Sequence, residues 1–291
     1  MRTFEYLAPR TLDEAVGLLK QHGVKARPLA GGTDIVVQMK ENATRFPYPE
    51  VVIGLARIPE LRGIEFSERD GLRLGAAVTM AEIAESAVIR ERYAAIAAGA
   101  GVVGSLQTMN MATVGGNLCN AAPSADTAPP LLAYEAQAVI VGPSGRRTLA
   151  LNEFFAGPGR TALTADELLA EVRVPAPASR TGSAYRRHTP RKQMDIAVVG
   201  VAAVLTLGDG GRIERARIAL GAVAPTPMRA LKAEAALEGQ TASDETFARA
   251  AEAAAAECTP ISDQRGSAEF RRHLVHVMTE RMLLDAAARA V

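Results

Sequence analysis

From Thr11 to Gly23 the apolar residues Ala15, Val16, Leu18 and Leu19 fall on one helical face between polar neighbours, a spacing that predicts an amphipathic helix. Thr11 and Glu14 stand at the spacing of a capping box at its start, and Gly23 suits its end. The apolar runs then shorten. "ARPLA" and "VVIGL" (51–55) read as buried strands, and "TDIVVQMK" between them begins a helix or a further buried segment. "LRLGAAV" (72–78) is another strand, leading into Thr79 and Glu82 at capping-box spacing. Val88, Ile89, Tyr93, Ile96 and Ala97 continue at helical spacing as far as Gly99 and Gly101.

Over "TVGGNLCNAAPSADTAPPLLA" (113–133) the periodicity lapses. Small residues dominate, and no regular element is predicted before Pro129, which suits the first turn of a short helix. A loop of this length inside a compact domain is usually wrapped around something. Strand patterns return in "QAVIVGPSGRRTLAL", two strands about a Gly-Pro-Ser-Gly turn, and in "ELLAEVRVP", where Leu169, Val172 and Val174 are apolar. "PAPASRTGS" (175–183) has the composition of a linker. Beyond it a long hairpin turns about Gly208-Asp209-Gly210-Gly211. Helices follow at 228–238, 243–257 and 266–289, the last with Phe270, Leu274, Val277, Met278, Met282 and Leu283 as its buried face.

Composition narrows the function. Hydrophobic residues make up 48% and charged residues 22%, with a net charge of +1, so no nucleic-acid or membrane-surface partner is indicated. No apolar run reaches the length of a membrane span, and the first residues lack the apolar core of a secretory signal. A cytoplasmic protein is expected. Its two cysteines, Cys119 and Cys258, lie far apart, and an iron–sulfur cluster needs about four. His273 and His276 sit three apart without an acidic or Cys partner beside them, so no metal site is expected. Any cofactor of this chain is therefore organic.

Two glycine pairs carry the chemistry: "LAGGTD" (29–34) and "TVGGNL" (113–118). Without Cβ atoms the main chain can approach a ligand closely, and successive N–H groups can form an anion-binding nest. Thr33 and Thr113 add hydroxyl groups beside the pairs. Either pair alone reads more readily as a tight turn; together they could grip a pyrophosphate from two sides. Neither fits the dinucleotide G-x-G-x-x-G pattern or the P-loop.

In order, "LAGGTDIVVQMK", "LGAAVTMAEI", "GSLQTMNMATVGGNLCNAAPSADTAPPLLA", "ELLAEVRVP" and "RHTPRKQMDIAVVGVAA" resemble the FAD-binding (medium) subunit of the molybdenum hydroxylases, the xanthine dehydrogenase family that includes carbon monoxide dehydrogenase. The resemblance spans essentially the whole chain. It implies an α+β protein with a PCMH-type FAD-binding fold, shared with vanillyl-alcohol oxidase, of two α/β subdomains. A C-terminal domain of three-stranded antiparallel sheet with helices follows. The chain divides accordingly at about 1–57, 58–176 and 177–291, the first two forming the FAD-binding domain.

The resemblance also implies site residues. Ala30, Gly31, Gly32, Thr33 and Asp34 would meet the pyrophosphate, flanked by Leu29 and Ile35. Thr113, Gly115, Gly116 and Asn117 would form the second cradle. Asp126 would bind the ribityl chain or ring edge, and Leu169 the adenine or ring region. Arg187 stands where relatives carry a Lys near the flavin. No catalytic acid or base is implied. FAD would reside in this chain, with 2Fe-2S clusters and molybdopterin in partner subunits. An iron–sulfur subunit and a molybdopterin subunit would join it in a heterohexamer of two heterotrimers. The family role is to take electrons from the clusters and pass them to NAD, a quinone or oxygen. A free-standing flavin oxidoreductase of the same fold would instead need its own catalytic constellation, and none is visible.

Overall fold

Three short strands open the fold: β1 (Glu5–Leu7), β2 (Ala26–Leu29) and β3 (Val51–Gly54), parallel and ordered β1-β3-β2. The structure is a computed structural model describing residues 1–290 apart from 43 and 45; residue 291, the end of the expected C-terminal domain, lies outside the described residues. Parallel strands need crossovers, which α1 (Leu12–His22) and α2 (Ile35–Glu41) supply. α1 buries Leu12, Ala15, Val16 and Leu19. The Thr11 hydroxyl accepts the Glu14 N–H, but the Glu14 carboxylate takes the N–H of Arg10. The expected capping box is thus completed one residue early.

The second unit is a five-stranded antiparallel sheet ordered β4-β5-β10-β6-β7. Its strands are β4 (Ile64–Ser67), β5 (Gly71–Gly75), β6 (Gln137–Gly142), β7 (Gly145–Ala150) and, after a small hairpin of β8 (Phe155–Gly157) and β9 (Arg160–Thr161), β10 (Leu168–Val174). Between β5 and β6 run α3 (Met80–Glu85), α4 (Ala87–Arg92), α5 (Ala94–Ala100), α6 (Leu106–Met109), α7 (Val114–Asn120) and α8 (Ala128–Ala133), and α9 (Leu151–Phe154) follows β7. The Thr79–Glu82 box forms in full. The helix expected through 88–97 instead breaks at Tyr93, which is fully buried against Phe66 and Tyr134 and donates its hydroxyl to the Pro175 carbonyl. Filling that core position takes the backbone out of helical geometry (ψ 46°).

The segment expected to be irregular contains α7. Thr113 caps it by accepting the Gly116 N–H, Val114 and Leu118 anchor it in the core, and left-handed Ala121 (φ 47°) ends it. Tertiary docking and a good cap outweigh two glycines of low helix propensity.

The C-terminal unit has three long antiparallel strands, as expected, and a two-residue fourth: β11 (Thr181–His188), β12 (Val199–Leu207), β13 (Ile213–Gly221) and β14 (Met228–Arg229). Helices α10 (Leu231–Leu237), α11 (Asp244–Glu257) and α12 (Ala268–Arg289) follow. All nine residues of β12 are buried. Ala202 and Val204 join the core of the first two units, whereas Val199, Val201, Ala203, Leu205 and Leu207 join a second core under the helices. Successive side chains on opposite faces explain this division.

The buried face of α12 departs from expectation. Phe270 is exposed, and Arg271 takes the inward position, donating to the carbonyls of Val198 and Ala222 and to the Asp263 carboxylate. Val275, Met278, Met282, Leu283 and Ala286 continue that face.

A cluster of charge ties the C-terminal unit to the second. Glu135, just past α8 in a left-handed conformation (φ 55°), accepts hydrogen bonds from Arg215, Arg217 and Arg229. Arg217 also bonds Glu238, and Arg229 also bonds Glu234. Beside it the Tyr134 hydroxyl donates to Ser183 Oγ at 2.8 Å. Among the described residues no helix is long and apolar enough to cross a membrane.

Candidate functional site

Leu29 closes β2, its carbonyl accepting the Leu55 N–H at 2.9 Å, and the chain then turns sharply through Gly31 and Gly32 (φ 77°) into α2. The positive φ explains the glycine at 32. Gly31 is required by contact: a Cβ there would lie 1.8 Å from the Met111 carbonyl oxygen and 2.6 Å from its carbon. The first glycine loop, some eighty residues away in sequence, therefore packs on Met111 and Ala112, just before the second glycine pair. Among the described residues, no group accepts the N–H of Gly31, Gly32 or Thr33. Asp34 is exposed at the start of α2 and Ile35 is its first residue.

The second pair is arranged differently from an open turn. Val114 N–H bonds the Val78 carbonyl (3.0 Å), Gly115 N–H the Ala76 carbonyl (2.9 Å), and Gly116 N–H the Thr113 hydroxyl (3.1 Å). These amides are occupied by helix capping and by strand-like pairing, so the sequence reading of a second free N–H nest is corrected here. Gly115 lets α7 approach the sheet; a Cβ would sit 2.7 Å from the Ala76 Cβ. Gly116 faces outward, and a Cβ there would meet only Thr113 Oγ1, at 3.0 Å. Asn117 Oδ1 accepts the Thr127 hydroxyl at 2.6 Å, which fixes its amide.

Asp126 is buried. Its Oδ1 accepts the Tyr185 hydroxyl at 2.7 Å and its Oδ2 accepts Arg187 Nη1. Burial pushes its carboxyl up to about 6, against the opposing pull of Arg187 and Tyr185. The Tyr185 phenol is likewise raised by burial and stays a donor. α5 seats this group from behind: a Cβ on Gly99 would lie 2.6 Å from the Asp126 carbonyl oxygen. Arg187 borders a cavity of about 620 Å³ lined by Ala98, Gly101, Val102 and residues 185–192. Leu169 lies at the bulge of β10, 4% exposed, within the core of the first two units.

Tyr185 was not singled out from sequence. Its signal is the i, i+2 spacing with Arg187, which places both on one face of a strand. That signal appears only once residues 181–188 are read as β11 rather than as linker and basic run.

The donor set suits an extended phosphate ester with a flat ring: a glycine loop whose N–H groups at 31–33 find no acceptor among the described residues, the Met111–Ala112 backbone against it, and a cation beside a cavity. Residues 2–177 match the family described as the FAD binding domain in molybdopterin dehydrogenase, and residues 183–286 the CO dehydrogenase flavoprotein C-terminal domain. This chain belongs to the FAD-binding subunits of the molybdenum hydroxylase family.

Relatives of this FAD-binding subunit match it nearly end to end. The xanthine dehydrogenase FAD-binding subunit of Escherichia coli O157:H7 is 36% identical over 286 residues, covering 98% of this chain and 96% of that one. The carbon monoxide dehydrogenase medium chain of Hydrogenophaga pseudoflava is 38% identical, covering 98% of each. The fold matches that of the Hydrogenophaga pseudoflava carbon monoxide dehydrogenase with a TM-score of 0.94 at 39% identity, covering 100% of this chain and 99% of that one. Quinoline 2-oxidoreductase from Pseudomonas putida 86 matches with a TM-score of 0.91 at 31% identity, over 99% and 98% of the two chains. The subunit is thus one component of an oxidoreductase.

Proposed function

We propose that this FAD-binding subunit takes electrons from 2Fe-2S clusters on a partner iron–sulfur subunit and delivers them to NAD, a quinone or oxygen, in a complex completed by a molybdopterin subunit. The observation that carries this reading is the first glycine loop packed on Met111 and Ala112, with the N–H groups of Gly31, Gly32 and Thr33 lacking an acceptor among the described residues. The two cysteines of this chain are too few for a cluster, which supports clusters on a separate chain. The relatives' descriptions as a medium chain and an FAD-binding subunit support a multi-subunit assembly, which we take to be two heterotrimers. Both cysteines are free, in keeping with a cytoplasmic location.

FAD, when bound, supplies the redox chemistry. The protein's part is to hold and orient it. The N–H groups of Gly31, Gly32 and Thr33 would bind phosphate oxygens, with Ala30, Asp34 and Ile35 shaping that loop. Thr113, Gly115, Gly116 and Asn117 would shape the opposing wall. No side chain is assigned a proton-transfer role.

Gly116→Val tests the cradle. Its Cβ meets only Thr113 Oγ1 in the fold, so the variant should stay folded while the branched side chain fills the ligand's space. Held off the first loop by that side chain, FAD would lose about two charge-assisted contacts to the N–H groups there, roughly 1.5 kcal/mol each, which weakens binding by about 100-fold. The checks are a flavin fluorescence titration and a thermal melt; undiminished FAD affinity counts against the cradle. For the assembly, the native complex should be isolated through a mild tag. Flavin bands overlaid on iron–sulfur absorption, with two further protein chains, are expected; a lone flavoprotein active on small molecules would favour a free-standing oxidoreductase instead.

A further inference from the structure

Arg271 is a buried charge of the C-terminal unit that has no place in the cofactor site itself. Its side chain is 4% exposed, and three acceptors fix it. Nη1 donates to the Val198 carbonyl at 2.7 Å and to the Ala222 carbonyl at 3.1 Å, and Nη2 donates to Asp263 Oδ1 at 2.8 Å. Its Nε bonds nothing among the described residues. Taking a guanidinium out of water is costly, and a well-packed apolar side chain often serves stability as well. What an apolar side chain cannot do is hold two main-chain segments at a set separation.

Both segments lead to the site. Val198 precedes β12, and its N–H bonds the His188 carbonyl at 2.9 Å, at the end of β11 and next to Arg187. Phe270, beside Arg271 on α12, meets the His188 ring edge-on at 5.9 Å. Ala222 follows β13 in a left-handed conformation (φ 65°), which an alanine keeps only where its surroundings hold it. Two bonds do so: Arg271 on its carbonyl, and the Pro123 carbonyl on its N–H at 2.7 Å. Pro123 lies in the turn between α7 and α8 that carries Asp126. The segments meet again at the Arg187–Asp126 ion pair. One guanidinium therefore backs both members of that pair, through Val198 and His188 to one and through Ala222 and Pro123 to the other.

We propose that Arg271 is a positioning residue for the cofactor. It touches no part of FAD; it sets where the 121–127 turn and the end of β11 stand relative to one another. This rests on the FAD reading above. Asp263 is the third point of the clamp. It exchanges main-chain bonds with Gly266, both at 3.1 Å, and its Oδ1 also accepts the Arg265 N–H, so the turn presents a fixed carboxylate to Arg271.

The test compares the full chain with Arg271→Lys, Arg271→Met and Val275→Ala. Val275 lies one turn further along the same buried face and contributes packing alone, so its variant lowers stability without loosening the clamp. Three readouts are taken at a temperature where every variant is folded: FAD affinity by fluorescence titration, visible circular dichroism of the bound flavin, and hydrogen exchange over 121–128. Arg271→Met should weaken FAD by about tenfold, the worth of roughly one net hydrogen bond. It should also change the flavin dichroism and speed exchange over 121–128. Arg271→Lys keeps the charge without the fork and should lie between. Val275→Ala should lower the melting temperature and leave all three readouts at wild type. Lower melting temperatures in both Arg271 variants, with wild-type affinity, dichroism and exchange, make Arg271 a structural residue and overturn the proposal. An equal loss of FAD in Val275→Ala at matched melting temperature overturns it as well, since general destabilisation then suffices. If Arg271→Met fails to fold, Arg271→Lys and Asp263→Asn decide by the same readouts. A wild-type chain that binds no FAD refutes instead the cofactor reading, which separates the two failures.

Discussion

Replacing Glu135 by alanine is expected to remove about 3 kcal/mol of stability and to loosen the joint between the second and C-terminal units. Arg215, Arg217 and Arg229 all donate to this carboxylate. Arg217 and Arg229 are only 18% and 19% exposed, so water replaces the lost partner poorly. Breaking a buried charge pair from one side costs about 3–5 kcal/mol; the 29% exposure of Glu135 argues for the lower end. Glu238 and Glu234 remain to Arg217 and Arg229, whereas Arg215 is left beside two like charges. Glu135→Gln keeps the shape and lacks the charge, and should lie between wild type and alanine. Urea unfolding followed by two probes is the measurement. A midpoint within error of wild type would show that Glu238 and Glu234 alone balance the cluster.

The second large effect is expected at Gly31. The added methyl of Gly31→Ala would lie 1.8 Å from a main-chain oxygen, with backbone on both sides of the contact. One loop must move by more than an ångström. Overpacking of this kind costs roughly 1–3 kcal/mol or more, and it separates the two loops between which FAD is proposed to lie. FAD affinity should fall by at least about 100-fold, alongside a melting temperature lowered by several degrees in the apo state. Gly116→Val should lose FAD without the second effect. The pair thus separates a glycine needed for packing from one needed for the ligand. Wild-type FAD affinity and melting in Gly31→Ala would mean that the loops part without consequence.

Local rules account for the parts that sequence made visible. α1, the Thr79–Glu82 cap, β2, β3, β10 and the β12–β13 hairpin announce themselves through periodicity and turn residues. α7 does not, because its glycines oppose a helix and only the seating of Val114, Gly115 and Leu118 on the sheet decides the matter. The break at Tyr93 and the inward Arg271 have the same origin: a tertiary partner overrides a local pattern. Motif order, through the resemblance it carries, is what assigns the glycine loops and Asp126 to one proposed site. Their division of labour was not legible, since Asp126 meets Arg187 across 61 positions, and which amides remain unpaired is settled by three-dimensional pairing.

β12 carries one more implication, for insertions and deletions. A slip of this strand by a single residue would turn Ala202 and Val204 toward the helices and Val201, Ala203 and Leu205 toward the other half, misfilling two interiors at once. Pairing with β11 on one edge and β13 on the other opposes any such slip. Length changes should therefore be accepted in the glycine-rich turn at 208–211 and rejected throughout 199–207, where a lost or gained codon would scramble both halves of the molecule.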